Sequence, residues 1–468
     1  MTQTPSYQVT DPATGEVLQT YPFATDAEIE QALASASAAY TAWSTRPVEE
    51  RAAIVRRVAD LFTERAEALG ELITTEMGKR PSGAKGEAEF CTDIFGYYAD
   101  HGPELLADRP LPGHAAAYVE HLPIGPVLGI MPWNYPYYQV ARFAGPNLVA
   151  GNVVLLKHAE NCPTSALAIA QIMQDAGVPE GVYTNLFATH EQVAAMIADP
   201  RLRGVSLTGS ERAGTAVAEQ AGRNLKKVVL ELGGSDPYIV LDTPDADAAA
   251  ETAWATRMEN VGQACNSNKR MIVMNDVYDD FVAGLVKRAT AMTPRAKGGE
   301  DADDSYSPMV SRKAAEALAA QVQDAVEKGA TLHAGGTLGE GAYFAPAVLT
   351  GVTPEMRAYS EELFGPAAVV YKVAGEDEAI ELANDSEFGL GAAVFSSDLD
   401  RARSVADRIE AGMVWVNSPA GSSAELPFGG VKRSGYGREL SELAMFEFAN
   451  RRLVRVVPAK KANKPQAG

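Results

Sequence analysis

The sequence predicts an α/β protein built on a parallel sheet, and three observations carry that expectation. From Val127 onward, short β-branched runs alternate with longer helical stretches, the pattern of βαβ units. Ahead of that, residues 26–101 recur with helical periodicity and Ala-rich faces. The composition is that of a globular chain: 46% hydrophobic and 22% charged over 468 residues. At about 150 residues per domain, the length suggests roughly three domain-sized units.

Taken in order, residues 49–76 place apolar and charged residues at helical spacing. Strands are predicted over 127–130, 152–157, 182–187 and 205–208, with helices over Pro163–Asp175 and 211–221 between them. Further strands are predicted over 228–232, 238–241 and 271–273, and helices over 246–260 and 278–292. Gly233-Gly234, between two strands, is the candidate hinge between domains. The Gly/Asp-rich stretch 297–304 reads as a surface loop, 452–457 as a late edge strand, and 460–468 as a frayed tail. No internal repeat is present.

Forty-one basic against 61 acidic side chains leave a net charge of −20, which excludes nucleic acid and anionic membrane surfaces as partners. No run approaches about 18 apolar residues, so no spanning helix is expected. The start lacks a secretory pattern, and Cys91, Cys162 and Cys265 are too few for a disulfide framework. A reducing, cytoplasmic compartment is expected. The six histidines, His114 and His121 among them, match no metal-ligand spacing, so no metal site is expected.

Five segments carry candidate chemistry. Cys265, in Gly262-Gln263-Ala264-Cys265, lies in a loop between a predicted helix and a predicted strand, where scaffolds present reactive groups. A thiol of ordinary pKa, about 8.5, needs activation to act as a nucleophile. The same residue also reads as an inert buried thiol. Asn266, Ser267, Asn268 and Lys269 make its surroundings polar. Glu231 ends an apolar strand ahead of Leu232 and two glycines. Burial there would raise its pKa toward general-base range, and an ordinary charged strand end is the alternative. Thr208-Gly209-Ser210, with Gly214, follows a strand and opens a helix, which suits a phosphate or a plain N-cap by Ser210. In Pro132-Trp133-Asn134-Tyr135-Pro136 the Asn134 amide can donate to a developing oxyanion, or the segment is a turn with a packed Trp133. Lys157-His158-Ala159-Glu160 ends the next strand, where doubly wound sheets bind ligands.

Together these segments resemble the aldehyde dehydrogenase superfamily. The resemblance runs from Thr10 to Val457 and includes GNVVLLK, TGSERAG, LELGG, GQAC, EELFGP, NDSEFGL and PFGGVKRSGYGRE in the family's order. The wording is most similar to the bacterial NAD(P)-dependent succinate-semialdehyde dehydrogenases. The resemblance implies a Rossmann-like cofactor domain (1–112 plus 127–232), an α/β catalytic domain (233–427), a small β oligomerisation extension (113–126 plus 448–460) and a flexible tail (461–468). The extension implies a homodimer or homotetramer.

The resemblance also implies roles. Cys265 would attack the aldehyde, and the Asn134 amide with the Cys265 backbone N–H would hold the oxyanion. Glu231 would activate water against the resulting thioester. Trp133, Lys157, His158 and Glu160 would contact the cofactor, as would Gly209, Ser210, Gly214 and Leu232. Glu362 would take the nicotinamide ribose, with Phe364 near the ring. A carboxylate at Glu160 accepts both adenine-ribose hydroxyls and repels a 2′-phosphate, so NAD is expected over NADP, which Lys157 or His158 could still admit. Arg142, eight residues after Asn134, matches a position that binds a distal carboxylate, which implies succinate semialdehyde. Glu259, six residues before Cys265, stands where some relatives carry a second cationic clamp, and favours a neutral or cationic aldehyde instead. The segment 418–426, where the family often forms the substrate mouth, departs from the commoner wording. Two rival readings are a non-catalytic NAD-binding structural protein and acyl transfer to coenzyme A. Cys91 and Cys162 match no role.

Overall fold

A computed structural model describes residues 6–458 apart from 297, 300 and 303. The 461–468 tail therefore lies outside the described residues, as do three positions of the predicted 297–304 loop. The chain opens with a hairpin of β1 (Tyr7–Thr10) and β2 (Val17–Tyr21), which the sequence reading did not mark. Four helices follow: α1 (Asp26–Thr45), α2 (Val48–Glu64), α3 (Ala66–Met77) and α4 (Pro81–Leu105). Their ends have local causes. Thr25 and Glu28 form a reciprocal capping box at the start of α1, and Pro81 opens α4 where its missing N–H costs nothing. Trp43, Phe62, Phe95 and Tyr98 bury the apolar faces in one core with the first sheet.

The alternating segment follows as β3 (Arg109–Pro110), β4 (Ala117–Pro123), β5 (Pro126–Met131), α5 (Tyr138–Ala150), β6 (Val153–His158), α6 (Pro163–Asp175), β7 (Tyr183–Asn185), α7 (His190–Ala198), β8 (Gly204–Thr208), α8 (Glu211–Arg223) and β9 (Lys227–Glu231). The second half holds β10 (Pro237–Val240), α9 (Ala246–Met258), β11 (Arg270–Met274), α10 (Asn275–Ala291), β12 (Thr293–Pro294), β13 (Ser305–Tyr306), α11 (Arg312–Glu327), β14 (Thr331–Ala334) and β15 (Ala347–Thr350). It continues with α12 (Arg357–Ser360), β16 (Ala367–Val373), α13 (Glu376–Asn384), β17 (Phe388–Gly389), β18 (Gly391–Phe395), α14 (Leu399–Ala406) and β19 (Met413–Val416). Last come β20 (Val431–Lys432), β21 (Gly435–Tyr436), α15 (Ser441–Ala444) and β22 (Ala449–Arg455).

The first sheet runs β21-β9-β8-β5-β6-β7, parallel except for β21, which pairs Gly435 with Glu231. Chain order reverses between β5 and β8. That is the topological switch point, where the carboxyl ends of the strands leave a crevice for ligand. The second sheet runs β14-β15-β16-β11-β10-β18-β19, with only β14 antiparallel. Its two faces carry separate apolar cores. A third sheet, β22-β4-β3, joins residues more than 300 positions apart, with Leu453 opposite Val119. Its strands begin at Arg109, earlier than the 113 expected, while Pro126 belongs to β5 of the first sheet. Among the described residues, no helix is long and apolar enough to cross a membrane.

Gly233-Gly234 does connect the two large sheets, but close packing explains the pair. A Cβ on Gly233 would come 2.4 Å from the Glu362 carboxylate, and one on Gly234 would come 2.7 Å from the Cys265 carbonyl oxygen.

Candidate active site

The carboxyl ends of β5, β6, β8 and β9 deliver Trp133, Asn134, Lys157, Glu160, Gly209, Ser210, Glu231 and Leu232 to one edge of the first sheet. The amino ends of β10, β11 and β16 deliver Gly234, Cys265, Lys269, Glu362 and Phe364 from the second. These two edges meet. The Asn134 amide donates to the Gln263 carbonyl at 3.0 Å, and the Asn260 amide donates to the Asn134 carbonyl at 2.8 Å. An amide NH2 has two hydrogens, so Asn134 keeps one to donate elsewhere.

The turn ahead of Cys265 is strained. Asn260 and Val261 take positive φ angles of 48° and 56°, and Gly262 follows at 71°. A β-branched residue in that region is a genuine outlier, and such strain persists only where the surroundings over-determine it. Here Val261 is buried, the Gln263 side chain accepts from the Val310 N–H, and the Arg257 guanidinium donates to the Gly262 carbonyl. The predicted helix 246–260 therefore ends two residues early, at Met258.

Cys265 lines a cavity of about 240 Å³ together with Tyr135, Tyr138, Glu259, Ser422 and Phe428. Burial pushes its thiol up to about 11. The Arg142 and Lys269 cations oppose that rise, and the Glu362 and Glu231 carboxylates add to it. A thiol held so high is not a standing thiolate and must lose its proton as it reacts. Glu231 is buried, and neither carboxylate oxygen has a hydrogen-bond partner. Burial lifts it well above the usual carboxylate range, against the pull of Arg142 and Arg438. A buried carboxylate without donors is destabilised as an anion, which makes it a proton acceptor in waiting.

Where the cofactor is expected, a cavity of about 930 Å³ is lined by Trp133, Glu160, Asn161, Ser311 and Lys313 among others. Lys157 reaches to 3.6 Å from Glu160, and burial lowers its pKa. Trp133 and Phe364 meet edge to face at 5.7 Å. The Ser210 hydroxyl caps α8, and a Cβ on Gly214 would strike the Leu232 side chain at 2.7 Å. Gly214 and Leu232 thus pack helix against strand. The switch point between β5 and β8, the helix start at Ser210 and the cavity beside Trp133 and Glu160 together suit a dinucleotide.

Two expectations are corrected. His158 does not face the cofactor cavity. It is fully buried, its Nδ1 accepts from the Ala159 N–H at 2.7 Å, and its Nε2 sits 2.9 Å from the Pro136 carbonyl. Burial lowers its pKa to about 4, so the neutral ring donates through Nε2 and ties the end of β6 to the Trp133–Asn134 loop. Arg142 does not line the cavity either. Its guanidinium pairs with Glu439 and contacts the Tyr138 and Thr208 hydroxyls at 3.2 Å each. It stands one layer behind Tyr138. Glu259, by contrast, is exposed at the mouth and accepts from the Tyr135 hydroxyl at 3.0 Å.

Several residues here escaped the sequence reading. Glu87 accepts from the Tyr137 and Tyr138 N–H groups and pairs with the buried Lys79, so it fixes the start of α5. Glu439, Arg257 and Lys269 are buried charges whose partners lie far along the chain. Only their charge within apolar surroundings could have flagged them. Among the described residues, no group of three or more His, Cys, Asp or Glu side chains could hold a metal ion.

Comparison with known proteins agrees with this geometry. The model of the aldehyde dehydrogenase family matches residues 1–454. The chain is 55% identical over 469 residues to a succinate-semialdehyde dehydrogenase (NADP+) of Deinococcus radiodurans, covering 99% of this chain and 97% of that protein. It is 43% identical to a protein of the same name from Mycobacterium tuberculosis, over 94% of this chain and 97% of that one. The crystal structure of succinic semialdehyde dehydrogenase from Streptococcus pyogenes with NADP+ superimposes with a TM-score of 0.92 at 41% identity, over 96% of this chain and all of that one. With the Cys265 loop, the buried Glu231 carboxylate and the crevice at the switch point on one seam, and the match running nearly end to end, the chain belongs to the aldehyde dehydrogenase family.

Proposed function

We propose that the protein oxidises succinate semialdehyde to succinate with a nicotinamide dinucleotide, through a thioester on Cys265. The observation that carries this reading is the shared seam, which puts the Cys265 loop in contact with Asn134 and within electrostatic reach of Glu231. The similarity to succinate-semialdehyde dehydrogenases supports the substrate.

Cys265 Sγ attacks the aldehyde carbon as the thiol proton leaves to solvent, and an S–C bond forms while the carbonyl opens to an oxyanion. The free hydrogen of the Asn134 amide and the Cys265 N–H receive the oxyanion. The thioester on Cys265 results when the former aldehyde C–H bond breaks and its hydride leaves, for which a bound nicotinamide would be the acceptor. Glu231 then takes a proton from water, the hydroxyl attacks the thioester carbon, and the S–C bond breaks to free the acid and the thiolate. On the cofactor side, Glu160 and Lys157 would hold the adenine ribose, the end of β8 at Gly209–Ser210 the pyrophosphate, and Glu362 the nicotinamide ribose, with Trp133 and Phe364 beside the ring. Glu160 makes NAD the preferred form, although the similar proteins carry NADP+ in their names.

The substrate carboxylate meets the Tyr138 and Ser422 hydroxyls, 3.2 Å apart on the cavity wall, with the Arg142 charge behind them. We assign β5–β9 and the N-terminal helices to the cofactor domain, the second sheet to the catalytic domain, and β3, β4 and β22 to an oligomerisation extension. The exposed Leu453 in β22 and Val456 just after it support a homodimer or homotetramer, and three free cysteines support the cytoplasm.

Glu231→Gln tests the reading. One equivalent of reduced cofactor per subunit should form as a burst, followed by turnover reduced about 10²- to 10⁴-fold. Unchanged steady-state turnover would remove Glu231 from the mechanism. No burst with any aldehyde would favour the non-catalytic reading.

A further inference from the structure

We propose that Lys269 is a positioning residue that ties the Cys265 loop to the Glu362 carboxylate, so that the reactivity of the thiol depends on where that carboxylate sits. The proposal rests on the reading of Cys265 as nucleophile and Glu362 as cofactor ligand.

Lys269 is 1% exposed. Its ammonium has three hydrogens and meets three acceptors. These are the Ala264 carbonyl at 2.8 Å, the Cys265 carbonyl at 2.7 Å and Glu362 Oε1 at 2.9 Å. Two are backbone atoms of the nucleophile loop, and the third is a side chain facing the cofactor. A buried ammonium tolerates no missing partner, so Glu362 cannot move without changing what Lys269 does at Cys265. Glu362 Oε1 also accepts from the Gly234 N–H at 3.1 Å, and the two glycines leave room for carboxylate and Cys265 carbonyl side by side.

The same two segments are held a second time by a group with no hydrogen bond to the Glu362 carboxylate. Arg257 is fully buried and donates to the Gly262 carbonyl and the Ser267 hydroxyl on one side, and to the Leu363 and Gly365 carbonyls on the other. All its partners are backbone or hydroxyl groups. Arg257 therefore supplies the fixed staple and Lys269 the adjustable one, and a Lys269 variant retains its scaffold. The charged groups bearing on the thiol are Arg142 and Lys269 on one side and Glu362 and Glu231 on the other. Asp236 is buried as well, its carboxylate served by the Gly391 N–H and stabilised by the Lys269 charge.

The test is iodoacetamide alkylation of the full chain from pH 6 to 10, read by mass spectrometry at Cys265. Cys91 and Cys162 are buried and serve as internal background. With the thiol held near 11, the whole range lies below its midpoint, so a rise of about one unit in Lys269→Met should slow alkylation about tenfold at every pH. Lys269→Arg should recover part of that loss. Saturating NAD+ should change the alkylation rate of the wild type and leave that of Lys269→Met unmoved. A folded Lys269→Met, by circular dichroism, with the wild-type profile and cofactor response would overturn the proposal. If Lys269→Met does not fold, Glu362→Gln carries the test with opposite sign: removing the competing anion should speed alkylation across the pH range, and an unchanged rate overturns the proposal. Aldehyde oxidation that survives complete alkylation of Cys265 would instead defeat the nucleophile reading itself.

Discussion

Arg142 and Glu439 form an ion pair sealed from solvent beside the Glu231 carboxylate. Glu231 thus titrates in the field of a cation already neutralised by another acid. Glu439→Gln removes that competing anion and leaves the Arg142 charge to Glu231. Glu439 helps hold Glu231 up and Arg142 pulls it down, so the variant lowers its pKa. As the proposed base, Glu231 must be deprotonated to act, so activity should be lost as pH falls through that pKa. The acid limb of the kcat profile should therefore move to lower pH. Breaking one side of a buried pair should also cost about 3 kcal/mol, measured by urea unfolding at pH 7. An unmoved acid limb would separate Glu439 from the chemistry.

Glu160 places a carboxylate, 44% exposed, at the rim of the cofactor cavity, leaning toward Lys157. Glu160→Ser removes a charge that repels a 2′-phosphate and frees Lys157 to meet one. The ratio of kcat/KM for NADP+ over NAD+ should rise by about tenfold, since the swap is worth roughly one hydrogen bond to a charged group. A ratio that stays constant would mean that another part of the cavity sets the choice.

His158 makes stability depend on pH. Its folded pKa is about 4, against about 6.5 for the free side chain, because burial disfavours the charged ring. The unfolded chain then binds more protons between those values. Stability is full above pH 6.5 and falls as pH drops toward 4, by about 3 kcal/mol in total. His158→Gln should flatten this part of the unfolding free energy–pH curve. A wild-type slope in the variant would assign the acid sensitivity to the buried carboxylates.

The parts of this molecule legible in the sequence are those whose causes are local. Pro163–Asp175 matches its predicted span residue for residue, because a proline opens it and Gly177 follows close on its end. Cys265, Glu231 and Asn134 stood out because each closes a short apolar strand or sits in a loop of stiff or small residues. The hairpin at β1 and β2 was missed because its pairing is short and its second strand exposed. Most elements beyond Ser305 were missed as well, among them β16 and β18, each of which pairs on one side with a strand far back in the chain, Val369 with Arg270 and Ala393 with Tyr238. Charge partners were least legible. Nothing near Arg142 in sequence points to Glu439, and nothing near Lys269 points to Glu362. His158 carries no mark of its burial, since a histidine after a strand looks the same whether it faces a ligand or a carbonyl.

Glu259 stands at the cavity mouth with its carboxylate held by the Tyr135 hydroxyl, and the buried Lys79 ammonium lies 3.8 Å from the centre of that Tyr135 ring. The acid is thus presented to incoming substrate, and an anionic semialdehyde must pass it. At an effective dielectric near 20, like charges some 6 to 8 Å apart repel by about 2 kcal/mol, before screening by salt reduces the effect. Glu259→Arg replaces that repulsion with attraction. The KM for succinate semialdehyde should fall by about five- to tenfold, kcat should change little, and the difference should shrink as salt is raised. An aminoaldehyde should respond in the opposite sense. An unchanged or raised KM for succinate semialdehyde would mean that Glu259 does not face the passing carboxylate, and that Tyr138 and Ser422 alone set the preference.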